Sequence, residues 1–320
     1  MKPRVAIVVL LISLCLVLSH VQGQGNILQI LRNTTGFSKF VQLVPRAQLT
    51  RFYESPIIMT VFAFTDAAYN QLPFRERNKI DSYDETQLRD YLRFCTVTGS
   101  RIPTKATKDI QFVQSSNSKH DRLFFNRTQR VNTTSSFKYC VNGVEISEGA
   151  TRDITATYGF VQGLNGVMRK TSQKTAYGWI KHPEDTTQSF TKFLDLMSYI
   201  YVMDPIDVLS SPYWINTLFV PNDEAMQKIP IAKLNRLKND PTEIEKILKA
   251  HYVPNRVIFT NCISNNEGFT NAQGQQLTFP NSSDNNVYVH SDGVSAAIVE
   301  GNIPVSNGVV HVVDQLLGSV

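Results

Sequence analysis

The sequence predicts a fold that combines helices with strands and that occurs twice in the 320-residue chain. Three observations support this. A strand–turn–helix corner appears twice, an amphipathic helix precedes each corner, and each copy closes with a hairpin and an apolar strand. Each copy is about 130 residues long, which is the size of a whole domain rather than of a short stacking repeat.

The two corners are TVFAFTDAAY (Thr60–Tyr69) and NTLFVPNDEAM (Asn216–Met226). Each starts with apolar strand formers, which indicates a buried strand. Thr65 and Asn222 can then accept hydrogen bonds from the unpaired N–H groups of a helix's first turn. An acidic residue follows in both copies, where it favours the positive end of the helix, and a proline a few residues later ends that helix.

Matching segments lie on both sides of the corners. GFSKFVQLV (Gly36–Val44) and SFTKFLDLM (Ser189–Met197) carry apolar residues at the spacing of one helix face. After the corners, the segment LRFCTV of the first copy matches LKAHYV of the second, and FKYCVNGVEI matches VYVHSDGVSA. In the latter two segments, Asn-Gly and Asp-Gly predict tight hairpins. Each copy ends in an apolar strand, YGFVQGLNGVM or NGVVHVVDQLL.

The segments that flank the copies define the organisation of the chain. Residues 1–23 have the basic start, short apolar stretch and small-residue end of a secretory signal. We therefore predict a signal peptide at 1–23, a first domain at 26–170, a polar linker at 171–185 and a second domain at 186–320. No later segment is apolar enough to predict a membrane anchor.

Glycosylation acceptors agree with a secreted protein. Asn33, Asn126, Asn132 and Asn281 are each followed by Ser or Thr two places on. A glycan requires its site to be on the surface. The sequence thus predicts a soluble glycoprotein of the extracellular space or extracellular matrix.

The charge of the chain is divided unequally between the two copies. Residues 24–170 hold 20 basic and 12 acidic residues, whereas residues 171–320 hold 10 basic and 15 acidic residues. Opposite charges favour attraction between the copies or different partners for each. A nucleic-acid partner is not predicted, since the chain carries a secretory signal and no basic–aromatic motif.

TLFVPNDEAM and NGVVHVVDQLL resemble the two signature segments of the fasciclin domain, and LKAHYV resembles the segment between them. The first copy is a divergent version of all three. The resemblance covers residues 26–170 and 186–320. It implies an α+β fold with two tandem fasciclin-like domains, each a wedge-shaped β-sandwich with a helical layer. It also implies adhesion or matrix association, as in periostin-like and transforming-growth-factor-induced matrix proteins.

Three cysteines follow the signal segment, and an oxidising compartment favours their pairing. In the alignment of the copies Cys95 falls opposite His251, and Cys140 falls opposite His290. Both positions change together, as two touching positions would. We therefore predict a Cys95–Cys140 disulfide, with Cys262 either free or linking two chains.

The histidines of the second copy are the main candidates for chemistry. The alignment of the copies predicts that His251 and His290 face each other in the fold, and Asp314 follows His311 by three residues. Two imidazoles are too few for a structural zinc site, and no nucleophile motif accompanies the His–Asp pair. We predict no enzyme, no metal and no cofactor.

The resemblance implies two receptor-binding segments. An Asp-Ile pair before the closing strand takes part in integrin binding in the family, and Asp153 and Ile154 match it here. An exposed carboxylate could complete a receptor's divalent-cation site. His251 and Tyr252 stand in reversed order where the family has a cell-binding Tyr-His segment.

The predicted function is therefore adhesion by binding to cell-surface receptors such as integrins, to matrix proteins or glycans, or to other copies of this chain. A carrier or binder of a small lipid or an acidic glycan is the alternative. An apolar cleft would favour the carrier, and a basic stripe around Arg75, Arg77, Lys79 and 119–130 would favour glycan binding.

Overall fold

The computed structural model describes residues 25–109, 111–129, 137–200, 204–264, 267–280 and 286–318. The predicted signal segment, Asn132 and Asn281 lie outside these ranges. Within them, none of the helices combines the length and the apolar run that crossing a bilayer requires.

The first domain alternates helices and strands as its sequence pattern predicts. Its described α-helices are α1 (Ile27–Asn33), α2 (Ser38–Arg46), α3 (Thr50–Glu54), α4 (Asp66–Gln71), α5 (Phe74–Asp81) and α6 (Glu85–Phe94). Its described strands are β1 (Met59–Phe64), β2 (Thr96–Thr98), β3 (Phe112–Gln114), β4 (Arg122–Gln129), β5 (Phe137–Val141), β6 (Val144–Glu145), β7 (Ile154–Ala156) and β8 (Gly159–Leu164). Short 3₁₀ helices span Thr104–Asp109 and Gly149–Thr151.

The second domain repeats this order. Its described α-helices are α7 (Ala176–Lys181), α8 (Thr191–Met197), α9 (Asp204–Ser210), α10 (Asp223–Gln227), α11 (Ile231–Lys238) and α12 (Pro241–Ala250). Its described strands are β9 (Asn216–Pro221), β10 (Tyr252–Pro254), β11 (Gly268–Thr270), β12 (Gln276–Thr278), β13 (Tyr288–Ser291), β14 (Val294–Val305) and β15 (Gly308–Val313), with a 3₁₀ turn at Thr260–Cys262.

A parallel strand pair lies at the centre of each domain. The sheet order is β2-β1-β8-β7 in the first domain and begins β10-β9-β15-β14 in the second. In the second domain the long β14 bends through two register shifts and continues into β13, β12 and β11. In the first domain β6 and β7 are separate strands, so β3-β4-β5-β6 forms a sheet of its own.

The predicted helix caps are present at both corners. Thr65 Oγ1 accepts from Ala68 N at 3.2 Å, and Asn222 Oδ1 accepts from Ala225 N at 2.8 Å. The acidic residue next to each cap also binds the preceding amphipathic helix, because Asp66 accepts from Lys39 N at 2.7 Å and Asp223 from Lys192 N at 2.8 Å. The corner thus fixes two helix starts at once.

The predicted linker is only partly a linker. Residues 176–181 form helix α7, whose Trp179 is 1% exposed and packs on Phe190 with ring centroids 5.6 Å apart. Ala176, Trp179 and Ile180 are buried in the core of the second domain. Their i, i+3, i+4 spacing makes one apolar helix face, which the polar flanks obscured in the sequence.

Candidate functional site

The predicted adhesion residue Asp153 belongs to a network that holds the loop after β2. We call Asp153, Ile102, Thr104 and Gln162 the first clamp. Asp153 Oδ1 accepts from Thr104 N at 2.8 Å and from Gln162 Nε2 at 2.6 Å, and Oδ2 accepts from Thr104 Oγ1 at 2.6 Å. Both carboxylate oxygens are therefore engaged inside the domain.

The second domain repeats the network with different side chains. The second clamp consists of Asn302, Ile258, Thr260 and His311. Asn302 Oδ1 accepts from Thr260 N at 2.8 Å, as Asp153 accepts from Thr104 N. Asp153 and Asn302 both have a left-handed backbone, with φ of +50° and +57°, which Asp and Asn tolerate better than most residues.

Ile154 presents only part of its side chain to solvent. It begins β7 and packs, partly buried, against the core of the first domain. The receptor-binding prediction for Asp153 and Ile154 thus stays a prediction, but the geometry gives both residues a structural role. An integrin-type contact would have to take Asp153 away from Thr104.

His251 and Tyr252 cannot contact a receptor in the folded protein. They are 0% and 5% exposed. His251 Nδ1 lies 2.7 Å from Ile247 O, and its Nε2 accepts from Leu317 N at 3.0 Å. Burial lowers the pKa of His251 to about 4, so the ring is neutral and acts as a structural connector. The prediction of a receptor contact here is wrong.

The other residues considered for chemistry, His311, His290 and Asp314, also form hydrogen bonds within the second domain. His311 Nε2 lies 2.8 Å from Ile258 O, and burial lowers the pKa of His311 to about 4. His290 is exposed and bonds Ser295 Oγ at 2.8 Å, so it does not face the buried His251. Asp314 Oδ1 accepts from Ala297 N at 2.7 Å rather than from a histidine. Across the described ranges no three His, Cys, Asp or Glu side chains gather as metal ligands.

The predicted Cys95–Cys140 disulfide is wrong. The structure joins Cys140 to Cys262, with Cα atoms 6.3 Å apart, and leaves Cys95 as a buried free thiol. Cys95 lies at the end of α6 inside the first core, whereas Cys140 faces the second domain. The bond therefore links the two domains.

The disulfide is embedded in an apolar contact between the domains, here called the junction cluster. Its buried members are Phe124 and Cys140 from the first domain and Ile215, Phe259, Cys262 and Val309 from the second. A Cβ on Gly143 would lie 2.7 Å from the Phe259 ring, so the ring packs directly on the Asn142-Gly143 hairpin turn. Arg122 adds hydrogen bonds to Pro212 O and Ser306 O.

A cavity of about 520 Å³, here called the junction cleft, opens beside the disulfide. Its walls include Phe125, Asn126 and Arg127 from the first domain and Arg256, Glu267 and Phe269 from the second. This volume is within the range of small-molecule sites. The cleft is concave with mixed polar and apolar walls, so it is less apolar than the carrier alternative predicts, and its two arginines suit an acidic ligand.

The two described glycosylation acceptors have different surroundings. Asn33 is exposed at the end of α1. Asn126 lies in β4 at the wall of the junction cleft, and its Nδ2 donates to Val257 O at 2.8 Å. Sequence reasoning could not distinguish them, because the three-residue acceptor pattern carries no information on the domain junction.

An exposed aromatic pair lies next to the junction. Tyr213 and Trp214 are 86% and 55% exposed and directly precede Ile215 of the junction cluster. Phe74 at the start of α5 and Ile231 at the start of α11 are also exposed, at 75% and 76%, but neither belongs to an exposed aromatic pair. Sequence analysis missed the Tyr213-Trp214 pair, although two adjacent aromatics before a strand are visible in the sequence.

The predicted basic stripe is partly neutralised. Lys79 Nζ pairs with Asp185 at 2.9 Å, and Arg77 donates to Asn70 O and Leu72 O at 3.0 Å. Arg75 is exposed. The basic residues Arg127 and Arg256 meet at the junction cleft instead, one from each domain.

Comparison with known proteins decides the family. The model of the fasciclin domain matches residues 35–170 and 188–319. The chain belongs to the fasciclin domain family. The prediction of two tandem fasciclin domains with mixed helices and strands is thereby confirmed.

Individual fasciclin relatives are distant. A fasciclin-like arabinogalactan protein, elcF, of Phaeosphaeria nodorum is 26% identical over 126 residues, which are 39% of this chain and 36% of that protein. Fasciclin-1 of Schistocerca americana is 31% identical over 122 residues, 32% of this chain and 17% of that protein. Protein sll1483 of Synechocystis is 25% identical over 176 residues, 51% of this chain and 92% of that protein.

A solved fasciclin domain pair also matches. It is a FAS1 domain pair from the insect cell adhesion molecule fasciclin I. It covers 88% of this chain and 96% of its own, at 15% identity and a TM-score of 0.41.

Proposed function

We propose that this chain is a secreted adhesion or matrix-associated protein that acts by binding rather than by catalysis. The observation that carries the proposal is the junction, where a disulfide and an apolar cluster hold two fasciclin domains together and leave the Tyr213-Trp214 pair exposed. Its partners are cell-surface receptors such as integrins, matrix proteins or glycans, or other copies of this chain.

The exposed aromatic pair supports binding to a protein surface. Tyr and Trp are enriched among the residues that dominate interface energies, because they bury a large area with few rotatable bonds. Asn216 Nδ2 donates to Trp214 O at 3.0 Å, which fixes the backbone of the pair against β9. A rigid anchor loses little entropy on binding.

A cell-spreading assay tests the proposal. Plates are coated with the glycosylated protein, and spreading is counted with and without divalent cations. The variants are Tyr213→Ala with Trp214→Ala, the matched control Phe74→Ala, and Asp153→Asn. Asp153→Asn is chosen because Asn302 makes the same loop contact in the second domain, so the charge is removed while the clamp is kept.

The outcomes separate the candidate sites. Loss of spreading with the aromatic double variant, but not with Phe74→Ala, supports the Tyr213-Trp214 surface. Cation-dependent spreading that Asp153→Asn abolishes supports the Asp153–Ile154 segment instead. If the unchanged protein supports no spreading, a cell-surface receptor is excluded as its partner under these conditions, and matrix, glycan or self-association becomes the leading interpretation.

The junction cleft favours the alternative function, a binder of a small lipid or an acidic glycan. Arg127 and Arg256 could bind an anionic group, and Phe125 and Phe269 could contact an apolar body. Native mass spectrometry of the purified protein and binding to a sulfated polysaccharide column test this. Arg127→Gln with Arg256→Gln should weaken retention more than the exposed control Arg75→Gln.

Self-association has a separate physical basis. The excess of basic residues in the first domain and of acidic residues in the second permits head-to-tail contacts between molecules. Such contacts weaken as salt rises, since exposed charges are screened over about 8 Å at physiological ionic strength. Sedimentation as a monomer at every salt concentration would exclude this mode.

A further inference from the structure

We propose that Asn126 carries an N-linked glycan whose first sugars lie in the junction cleft, between the two fasciclin domains. The inference rests on the secretory route in the proposed function. It goes beyond that function because it gives the cleft a covalently attached occupant, a carbohydrate built on the protein's own side chain.

The carboxamide of Asn126 is placed for this attachment. Asn126 is paired with Cys140 across β4 and β5, and its Nδ2 donates one hydrogen bond, to Val257 O at 2.8 Å. A carboxamide nitrogen has two hydrogens, so attachment of a sugar can replace one and keep the other bonded to Val257. Asn126 Oδ1 is buried and has no hydrogen-bond partner in the described part of the chain.

A buried carbonyl oxygen without a hydrogen-bond partner is destabilising, so a donor at this point would stabilise the junction. A hydroxyl or acetamido N–H of the attached sugar is such a donor. The other lining groups suit a sugar, which has polar edges and an apolar face. Arg127 and Arg256 can donate to its oxygens, and Phe269 offers an aromatic ring.

The order of synthesis allows a cleft position to be modified. The acceptor triplet Asn126-Arg127-Thr128 leaves the ribosome about 130 residues before the opposite wall, which begins at Arg256. N-terminal domains fold first during synthesis, so Asn126 is open when the first domain forms. The second domain then closes over a glycan already in place.

The chemical step is the transfer of an oligosaccharide from a lipid-linked diphosphate. The bond from C1 of the first sugar to the diphosphate oxygen breaks, and the C1–Nδ2 bond forms. Nδ2 loses one proton to a base of the transferring enzyme. The lipid diphosphate leaves with the electron pair of the broken bond.

Glycopeptide mapping of the full chain from a glycosylating secretory host tests the inference. We expect both Asn33 and Asn126 to be occupied. A peptide–N-glycosidase added to the native protein should remove the glycan of the exposed Asn33 at least tenfold faster than that of Asn126. After denaturation and reduction both should be released at similar rates. Asn33→Gln and Asn126→Gln assign each released glycan to its site.

Every result decides the inference. An occupied Asn126 whose glycan is protected only in the native protein supports it. An unmodified Asn126 beside a modified Asn33 overturns it and leaves the secretory route intact. Equal release from both sites in the native protein overturns the placement in the cleft. If neither site is modified, the secretory route and this inference fail together.

Discussion

Gln162 and His311 show how two side chains can make the same contacts. Gln162 Nε2 donates to Ile102 O at 3.0 Å, and its Oε1 accepts from Asp153 N at 2.9 Å. His311 Nε2 lies 2.8 Å from Ile258 O, and its Nδ1 accepts from Asn302 N at 3.3 Å. Each therefore offers one donor and one acceptor at equivalent places. The histidine differs in that it can gain a proton.

That difference predicts a pH-dependent stability. Burial lowers the pKa of His311 to about 4 in the folded protein, against about 6.5 when unfolded. The unfolded chain therefore binds more protons between these values, and the stability that is present above pH 6.5 is lost as pH falls towards 4. Each such histidine contributes roughly 3 kcal/mol to this loss.

His311→Gln should flatten the profile without breaking the clamp. Both tryptophans, Trp179 and Trp214, lie in the second domain, so their fluorescence during urea unfolding reports on that domain. Between pH 7 and pH 4 the variant should lose roughly 3 kcal/mol less stability than the unchanged protein. Parallel profiles would show that the ring of His311 does not control the acid response.

The first clamp gives a prediction about Asp153 alone. Asp153→Ala places an alanine at φ of +50° and removes the acceptor of Thr104 N and Oγ1. The left-handed backbone and the lost hydrogen bonds should together cost roughly 2–4 kcal/mol. Asp153→Asn should cost under about 1 kcal/mol, because an amide oxygen still accepts from Thr104 N. Equal losses in chemical denaturation followed by circular dichroism would contradict this role.

At the scale of elements, the parallel strand pair of each domain depends on one glycine. A Cβ on Gly308 would lie 1.8 Å from Asn216 O, and one on Gly159 would lie 1.7 Å from Met59 O. These neighbours are backbone atoms of β9 and β1, so the strands themselves would have to separate. The matched glycines explain why both closing strands begin with the same residue.

Gly308→Ala should therefore cost about 4 kcal/mol or more, or prevent folding of the second domain. The matched control is Gly274→Ala, because Gly274 has a positive φ of +88° but no atom within 4 Å of its Cβ position. The control should lose only about 1 kcal/mol from backbone strain. Tryptophan fluorescence during urea unfolding measures both. Similar losses of unfolding free energy in the two variants would mean that the close approach of the strands does not determine the cost of the Gly308 substitution.

The elements show which features a sequence can reveal. The corners, hairpins and closing strands follow from local patterns, and the structure has Asn142-Gly143 and Asp292-Gly293 at positive φ in the predicted turns. The sequence did not predict helix α7, because its three buried apolar residues, surrounded by polar residues, form too short a periodic pattern. Local periodicity reports on one face of one element, and it does not report on what that face packs against.

The prediction of the disulfide pairing was wrong for the same physical reason. Cys95 and His251 do occupy the same place, at the ends of α6 and α12. Their joint change with Cys140 and His290 suggested contact within one domain. The partner of Cys140 is instead set by how the second domain docks, and Cys262 lies in a 3₁₀ turn outside the segments that match between the copies. Docking depends on surfaces assembled from distant segments.

For the whole molecule, the junction makes the two domains one unit. Cys140 and Cys262 are 122 residues apart, and a cross-link over a loop of about this length stabilises by roughly 5 kcal/mol in the chain-entropy model. The junction cluster adds buried apolar area on both sides. Recognition surfaces on the two domains therefore keep a fixed relative position, which reduces the entropy lost when one partner contacts both.

Removal of the cross-link should uncouple the domains. We expect the unchanged protein to unfold in one transition and the double variant Cys140→Ala with Cys262→Ala to unfold in two. In the double variant, the change in tryptophan fluorescence, which reports on the second domain, should no longer coincide with the loss of circular dichroism. Cys95→Ala is the control and should keep one transition.

In the unchanged protein, burial raises the pKa of the Cys95 thiol to about 12, so alkylation of Cys95 should require unfolding. Peptide mapping without reduction must show Cys140 joined to Cys262, and a Cys95–Cys140 peptide would contradict the junction itself.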